Sequence, residues 1–107
     1  MGGRKMRMLM MVDFPAEPFN TLTRNGTVGA KIQQALEDVK PETVYFSERD
    51  GFRGAVLIVD VPEPSRIPAL AEPFFLIFNA TVKFRVVMTP EDLAKAGLEA
   101  LGKKYSS

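Results

Sequence analysis

Hydrophobic and polar residues alternate along four segments of this chain, with the two-residue period of a half-buried β-strand. The alternation predicts strands over residues 6–14, 43–48, 54–61 and 80–88. In the first strand Met8, Met10 and Val12 fall on one side, while Leu9 and Met11 fall on the other. This strand is therefore apolar on both sides, and the third strand has the same character.

Between the strands, apolar residues recur every three or four positions, which is the period of an amphipathic helix. This spacing predicts helical regions over residues 19–40, 65–79 and 90–101. We expect Asn25-Gly26 to interrupt the first region, Pro73 to kink or restart the second, and Gly102 to end the third. Asp50-Gly51, between the second and third strands, predicts a tight hairpin turn.

The resulting order, β-α-β-β-α-β followed by one more helix, predicts a single α+β domain with a ferredoxin-like fold. That fold is an antiparallel four-stranded sheet with helices on one face, and its strands lie in the spatial order fourth, first, third, second. The sequence agrees with this order, because the two strands placed at the edges carry more polar residues than the central two. We expect the domain to span residues 1–107 with a core over about residues 5–101, and the extra C-terminal helix to complete it.

Both crossover helices of this fold cover the same face of the sheet, so the opposite face needs another cover. The sequence places six apolar or aromatic side chains on that opposite face: Leu9, Met11, Tyr45, Val56, Ile58 and Val87. Such a patch reaches the roughly 300–600 Å² of the largest patches on typical monomers. A second copy packed face to face would cover it in a two-fold dimer. Alternatively, the C-terminal helix folds back over this face within one chain.

Several stretches of the sequence, together with the element order, resemble a known group of proteins. The stretches are Phe19-Asn20-Thr21-Leu22, Ser47-Glu48-Arg49-Asp50-Gly51, Pro68-Ala69-Leu70-Ala71-Glu72-Pro73-Phe74-Phe75 and Met88-Thr89-Pro90-Glu91-Asp92-Leu93. They are similar to a family of short uncharacterised bacterial proteins in the dimeric α/β-barrel superfamily. The resemblance covers nearly the whole chain and implies a homodimer, but it implies no established activity. The wider superfamily includes cofactor-free oxygenases, isomerases, haem enzymes and ligand-sensing domains.

Charged residues alternate with the apolar residues of the second face. They are Arg7, Asp13, Asp60, Lys83 and Arg85. One antiparallel register pairs the first strand with the third as Arg7–Asp60, Leu9–Ile58 and Met11–Val56. On its other side, the first strand pairs with the fourth as Asp13–Lys83, Met11–Arg85 and Leu9–Val87. We therefore expect cross-strand ion pairs between Arg7 and Asp60 and between Asp13 and Lys83.

Arg85 differs from these four residues, because this register gives it no acidic partner within its own chain. A guanidinium in an apolar surrounding keeps its charge and needs an acceptor. The acceptor is either a group of a partner subunit, the Tyr45 hydroxyl or a backbone carbonyl, or a small anionic ligand. In the ligand hypothesis Arg85, Lys83 and Tyr45 orient a carboxylate or phosphate in a cleft between two sheets.

The amino-acid composition limits the kinds of catalytic and metal-binding site that this chain can form. The 107 residues contain no Cys, His or Trp, and 14 Lys and Arg balance 13 Asp and Glu to a net charge of +1. These absences exclude disulfides, thiolate nucleophiles, thiolate or imidazole metal sites and histidine triads, so we expect no metal and no cofactor. The near-neutral charge gives no field for nucleic acid or an anionic membrane.

Two local sequence patterns also argue against nucleic-acid binding and against a signal peptide or membrane span. The third strand lacks the aromatic residues of an RNA-recognition motif, since Gly54 and Leu57 stand where two of them would lie. The apolar run over residues 8–12 is too short for a signal peptide or a membrane span. We therefore expect a cytoplasmic protein that binds neither nucleic acid nor a membrane, and the sequence leaves its enzymatic activity undecided.

Overall fold

The computed structural model describes residues 6–106, which form four β-strands, five α-helices and one short 3₁₀ helix. The strands are β1 (Arg7–Phe14), β2 (Thr43–Arg49), β3 (Phe52–Asp60) and β4 (Thr81–Val86). The helices are α1 (Ala16–Arg24), α2 (Val28–Val39), α3 (Ile67–Phe78), α4 (Pro90–Ala94) and α5 (Leu98–Tyr105), and the 3₁₀ helix spans Pro64–Arg66. The predicted domain limits at residues 1 and 107 and the predicted core start at residue 5 lie outside the described residues.

The four strands form one antiparallel sheet in the order β2-β3-β1-β4, as the element order predicts. The α+β architecture is confirmed, and it is consistent with a ferredoxin-like fold. The β1–β3 register is also as predicted, with Arg7 opposite Asp60 and Met11 opposite Val56. The β2–β3 hairpin turns through Asp50 and Gly51, whose φ angles are 53° and 81°. Two positive φ angles in succession are typical of the type I′ turn that matches strand twist.

One face of the sheet is covered by helices and forms the core, and we call it the covered face. Met10 and Leu57 from β1 and β3 are fully buried there, together with Phe78 of α3. The Phe14 ring lies edge-on to two neighbours, with its centroid 5.1 Å from Phe78 and 5.2 Å from Phe19. These contacts join β1, α1 and α3 into one apolar layer.

The helices of this layer end and begin mostly where the sequence predicts. The first helical region is divided at Asn25-Gly26, and Gly26 has a φ of 78° that suits glycine. Pro73 behaves differently from the expectation, since α3 continues through it without interruption to Phe78. Burial of Phe74 and Phe78 stabilises this last turn against the core.

The C-terminal segment departs further from the prediction, which was a single helix ended by Gly102. Thr89 and Asp92 form a capping box at its start, and the bond from the Thr89 N–H lowers the pKa of the Asp92 carboxyl. The helix α4 ends at Ala94, Gly97 with a φ of 75° directly precedes α5, and Gly102 lies within α5. The prediction of a stop at Gly102 is wrong, because the left-handed glycine between the two helices falls five residues earlier.

We call Pro90–Tyr105, which contains α4 and α5, the C-terminal arm. Every residue from Pro90 to Ser106 is exposed. A helix lying on an apolar sheet face would bury its own contact residues, so the arm does not cover the second face of the sheet. The arm also extends the molecule: the radius of gyration is 17.7 Å, against about 13 Å for a compact chain of 100 residues.

Candidate functional site: the open face of the sheet

The face opposite the helices, which we call the open face, presents alternate residues of all four strands. The sheet register arranges its centre in two rows, Thr43–Ile58–Leu9–Arg85 and Tyr45–Val56–Met11–Lys83, each running from β2 to β4. The four central residues of these rows are apolar, and the cations lie on the β4 edge. The open face is thus an apolar strip with one basic border.

The predicted apolar residues of this face are neither buried nor freely exposed. Leu9, Met11, Val56, Ile58 and Val87 are all partly buried. Tyr45, on the edge strand β2, is 69% exposed. Neighbouring side chains alone therefore shield the apolar strip in part, and no helix of the described residues lies over it.

The predicted β1–β4 register is wrong by two residues. Asp13 lies opposite Thr81, Met11 opposite Lys83 and Leu9 opposite Arg85. The reason lies at the start of β4, because Asn79 ends α3 in a left-handed conformation and the strand begins directly at Thr81. A shift of two residues keeps every side chain on its face, so Lys83 and Arg85 remain on the open face as predicted.

This register removes the predicted ion pair between Asp13 and Lys83. Asp13 instead binds Arg49 through both carboxylate oxygens, with Nη2–Oδ2 at 2.7 Å and Nε–Oδ1 at 3.2 Å. The hydrogen bond from Arg49 lowers the pKa of the Asp13 carboxyl, and Asp13 in turn raises the pKa of Arg49. Lys83 adds a weaker charge attraction to Asp13.

Arg49 was not among the predicted site residues, although two features of the sequence indicate its position. The Asp50-Gly51 turn places Arg49 on the same face as Ser47, and Ser47 lies opposite Gly54. Gly54 lies in turn opposite Asp13, and a Cβ on Gly54 would meet the Val12 carbonyl at 3.2 Å. Because Gly54 has no side chain, Arg49 reaches across its position to the carboxylate.

The second predicted ion pair, between Arg7 and Asp60, is also wrong, although the two residues are register partners. Arg7 turns to Glu42 at the start of β2, and its Nε lies 3.1 Å from Glu42 Oε1. Asp60 Oδ1 is buried and has no hydrogen-bond partner among residues 6–106. A buried carboxylate oxygen without a donor is costly, so this end of the open face is incomplete within one chain.

The structure brings two of the three predicted anion-binding residues together. Lys83 and Arg85 are exposed neighbours on the open side of β4. Within residues 6–106, no hydrogen bond or ion pair engages the guanidinium of Arg85, whose backbone pairs with β1. Tyr45 lies on the opposite edge strand, three strand spacings away. With about 4.8 Å between strands, that separation is about 14 Å. One chain alone therefore does not gather Arg85, Lys83 and Tyr45 around a small ligand.

A cleft does exist, but it lies at the other end of the open face. Its volume is about 310 Å³, and its lining includes Asp13, Arg49, Phe52, Asn79 and Thr81. This cleft is two rows away from Arg85, and neither Arg85 nor Lys83 lines it. The predicted ligand cleft around Arg85 is not formed by the single chain.

Residues 6–106 contain neither a candidate metal site nor a membrane-spanning helix. No group of three or more Asp or Glu side chains there is arranged to hold a metal ion. No helix in this part of the chain is long and apolar enough to cross a membrane.

Comparisons with protein-family models, curated proteins and solved structures return no match to this chain. The open face is therefore interpreted from its own geometry.

Proposed function

We propose that this chain is a homodimeric module whose open faces pack against each other, as the resemblance to the dimeric α/β-barrel superfamily implies. The observation that carries the proposal is the apolar strip of the open face, which no helix of residues 6–106 covers. At ordinary strand spacings each residue of one face occupies about 33 Å² of flat sheet, so the six residues form a contiguous apolar area of about 200 Å². Contiguous apolar areas rimmed by polar residues are typical of interaction sites.

The second copy is favoured as the occupant because the face is self-complementary about one particular two-fold axis. An axis perpendicular to the strands would stack β4 on the partner's β4 and oppose Lys83 and Arg85 to their own copies. An axis parallel to the strands instead lays β4 over the partner's β2. The cations then face the partner's Thr43 and Tyr45, which carry no like charge.

The parallel axis also pairs opposite charges across the interface. Because this axis lies between β1 and β3, it brings Arg7 opposite the partner's Asp60 and Asp60 opposite the partner's Arg7. Arginine has five donors, so Arg7 can hold Glu42 and still donate across the interface. The partner's Arg7 would then pair with the other oxygen of the Asp60 carboxylate, since Oδ1 is buried within its own chain.

A second function, the binding of a small anion by an enzyme or sensor without a cofactor, is favoured by Arg85. The parallel axis brings the partner's Tyr45 to Lys83 and Arg85, the three residues that one chain keeps apart. Titration with inorganic phosphate and acetate, followed by calorimetry on the wild type and Arg85→Met, tests this function. Binding that is lost in Arg85→Met supports it, and no binding to the wild type argues for assembly alone.

The dimer itself is tested by sedimentation equilibrium of the wild type, Leu9→Asp and Leu76→Asp. Leu9 lies in the apolar strip, whereas Leu76 is 79% exposed on α3 and makes a matched control outside the open face. Burying an unpaired carboxylate costs several kcal/mol, so Leu9→Asp is expected to weaken the dimer by about 100-fold or more. Leu76→Asp is expected to leave twice the chain mass. A wild type that sediments as a single chain would refute the proposal.

A further inference from the structure

The C-terminal arm carries an apolar stripe that nothing in the described residues covers. Its members are Leu93, Leu98, Leu101 and Tyr105, and each of them is exposed. The three in α5 recur at spacings of three and four residues, which puts them on one side of the helix. Lone apolar residues on a surface are ordinary, but a continuous helical stripe is typical of a docking element.

The second helix of the arm is too short to be stable by itself. The second helix, α5, has only eight residues, and its N-cap is Gly97 without a side-chain capping bond. Isolated helices shorter than about 12–15 residues are marginal in water. We therefore expect α5 to depend on packing against another surface.

The starting point of the arm limits where that surface lies. The Val87 N–H donates to the Arg7 carbonyl at 3.2 Å, which fixes the chain beside the Arg7 end of β1. The arm leaves the sheet two residues later, from the edge that β4 forms. In the dimer proposed above, that edge lies over the first residues of the partner's β2.

We infer that each arm packs along the β2 edge of the second copy, an inference that rests on the proposed dimer. The two helices of the arm have 5 and 8 residues, which make about 20 Å of helix in two pieces joined at Gly97. The two sheets are separated by about 10 Å, and the seven residues of β2 extend about 23 Å. The arm is thus long enough to cross the gap and follow part of the strand.

The β2 edge offers an apolar contact for the stripe. Phe46 points to the covered face, yet 53% of it is exposed, because the helices do not reach over this edge. The edge also leaves a row of backbone N–H and C=O groups unpaired, which proteins commonly cover. An arm lying along β2 would bury Phe46 under Leu98 and Leu101.

The charges of the two elements run in complementary order. The arm begins with Glu91 and Asp92 and ends with Lys103 and Lys104. At the partner's β2, Glu42 is paired with Arg7 and Arg49 with Asp13, which leaves Lys40 before the strand and Glu48 near its turn. An arm that starts at the beginning of β2 sets its acidic end beside Lys40 and its basic end beside Glu48.

The absence of cysteine from the chain allows a direct test by cross-linking. Chains with Leu101→Cys are mixed with tagged chains carrying Phe46→Cys, and a short bis-maleimide joins thiols that lie close together. Tagged chains with Leu76→Cys provide the control, because Leu76 on α3 is more accessible than Phe46, at 79% against 53% exposed. We expect at least tenfold faster cross-linking to Phe46→Cys than to Leu76→Cys.

The outcomes separate this inference from the dimer itself. A wild type of twice the chain mass with equal cross-linking in both mixtures, or with none, overturns the arm docking and leaves the dimer standing. Preferential cross-linking to Leu76→Cys overturns it as well, because the arm would then lie on the helices. A wild type that sediments as one chain refutes both the arm docking and the dimer.

Discussion

The two faces of β1 and β3 are made of similar residues and have different surroundings. Met10 and Leu57 on the covered face are fully buried, whereas their neighbours Leu9 and Ile58 on the open face are only partly buried. An antiparallel sheet with one wet face ordinarily alternates apolar and polar residues. Apolar residues on both sides therefore distinguish this sheet: the chain's own helices cover one face, and the proposed dimer would cover the other.

Leu57 and Ile58 make this comparison measurable, since they are adjacent in sequence and point to opposite faces. If the proposed dimer forms, Leu57 contributes to the stability of the folded chain and Ile58 to association.

We expect Leu57→Ala to lower the free energy of unfolding by about 2–5 kcal/mol, which is the usual cost of truncating a buried leucine. The loss arises within one chain, so it should be the same at low and high protein concentration. Urea unfolding followed by circular dichroism measures it. A loss below about 1 kcal/mol would mean that the covered face is loosely packed.

We expect Ile58→Ala to act mainly on the dimer. Fully burying an isoleucine contributes about 1.5–3 kcal/mol, so the dimer Kd should rise by about tenfold to 100-fold. Unfolding measured at concentrations where the wild type is dissociated should change little. A loss as large as that of Leu57→Ala at all concentrations would contradict the difference between the two faces.

The sequence predicts the fold well because its strongest signals are local. The Asp50-Gly51 turn and the apolar periods determine the hairpin, the faces and the β1–β3 register. The β1–β4 register is less predictable, although the end of α3 at Asn79 agrees with the predicted helical region. A pattern with a period of two residues cannot distinguish registers that differ by two.

The ion pairs were missed for a related reason. Cross-strand position brings Arg7 to Asp60, but a long guanidinium side chain can reach other carboxylates nearby, and Glu42 engages it. Arg49 reaches Asp13 only because Gly54 leaves the space between them open. Such contacts depend on the three-dimensional positions of several side chains at once, which spacing along one strand does not specify.

The charge pattern of the open face can be tested by exchange. Arg7→Asp and Asp60→Arg should each weaken their own homodimer, because like charges then meet across the two-fold axis. A mixture of the two variants should form a mixed dimer in which opposite charges meet at both positions. We expect the mixed dimer to be favoured about tenfold over either homodimer, equivalent to about 1.4 kcal/mol.

Native mass spectrometry of the mixture measures the three species directly. Mixing Arg7→Asp with the wild type serves as the control, since that pair restores only one of the two contacts. If the two homodimers and the mixed dimer occur in statistical proportions in both mixtures, the axis parallel to the strands is excluded. Other dimer arrangements would then remain to be tested.

The smallest expected effect concerns the Asp13–Arg49 pair, which lies at the rim of the open face. The pKa of Asp13 is lowered below 3.8 in the folded chain, first by the hydrogen bond from Arg49. The folded state therefore binds fewer protons than the unfolded state in this range, and stability falls as the pH falls through the folded pKa. Asp13→Asn should be less stable than the wild type at pH 7, and the two should converge near pH 2.

Urea midpoints from pH 7 to pH 2 measure this convergence, with Asp38→Asn on the exposed side of α2 as the control. The loss of stability on acidification should be smaller in Asp13→Asn than in the wild type. It should not disappear, because hydrogen bonds also lower the pKa values of Glu17 and Asp92. Parallel curves for Asp13→Asn and the wild type would show that the bidentate pair adds nothing to stability. Since this pair lies within one chain, its effect should be the same in the dimer and in Leu9→Asp, unlike that of the charge exchange.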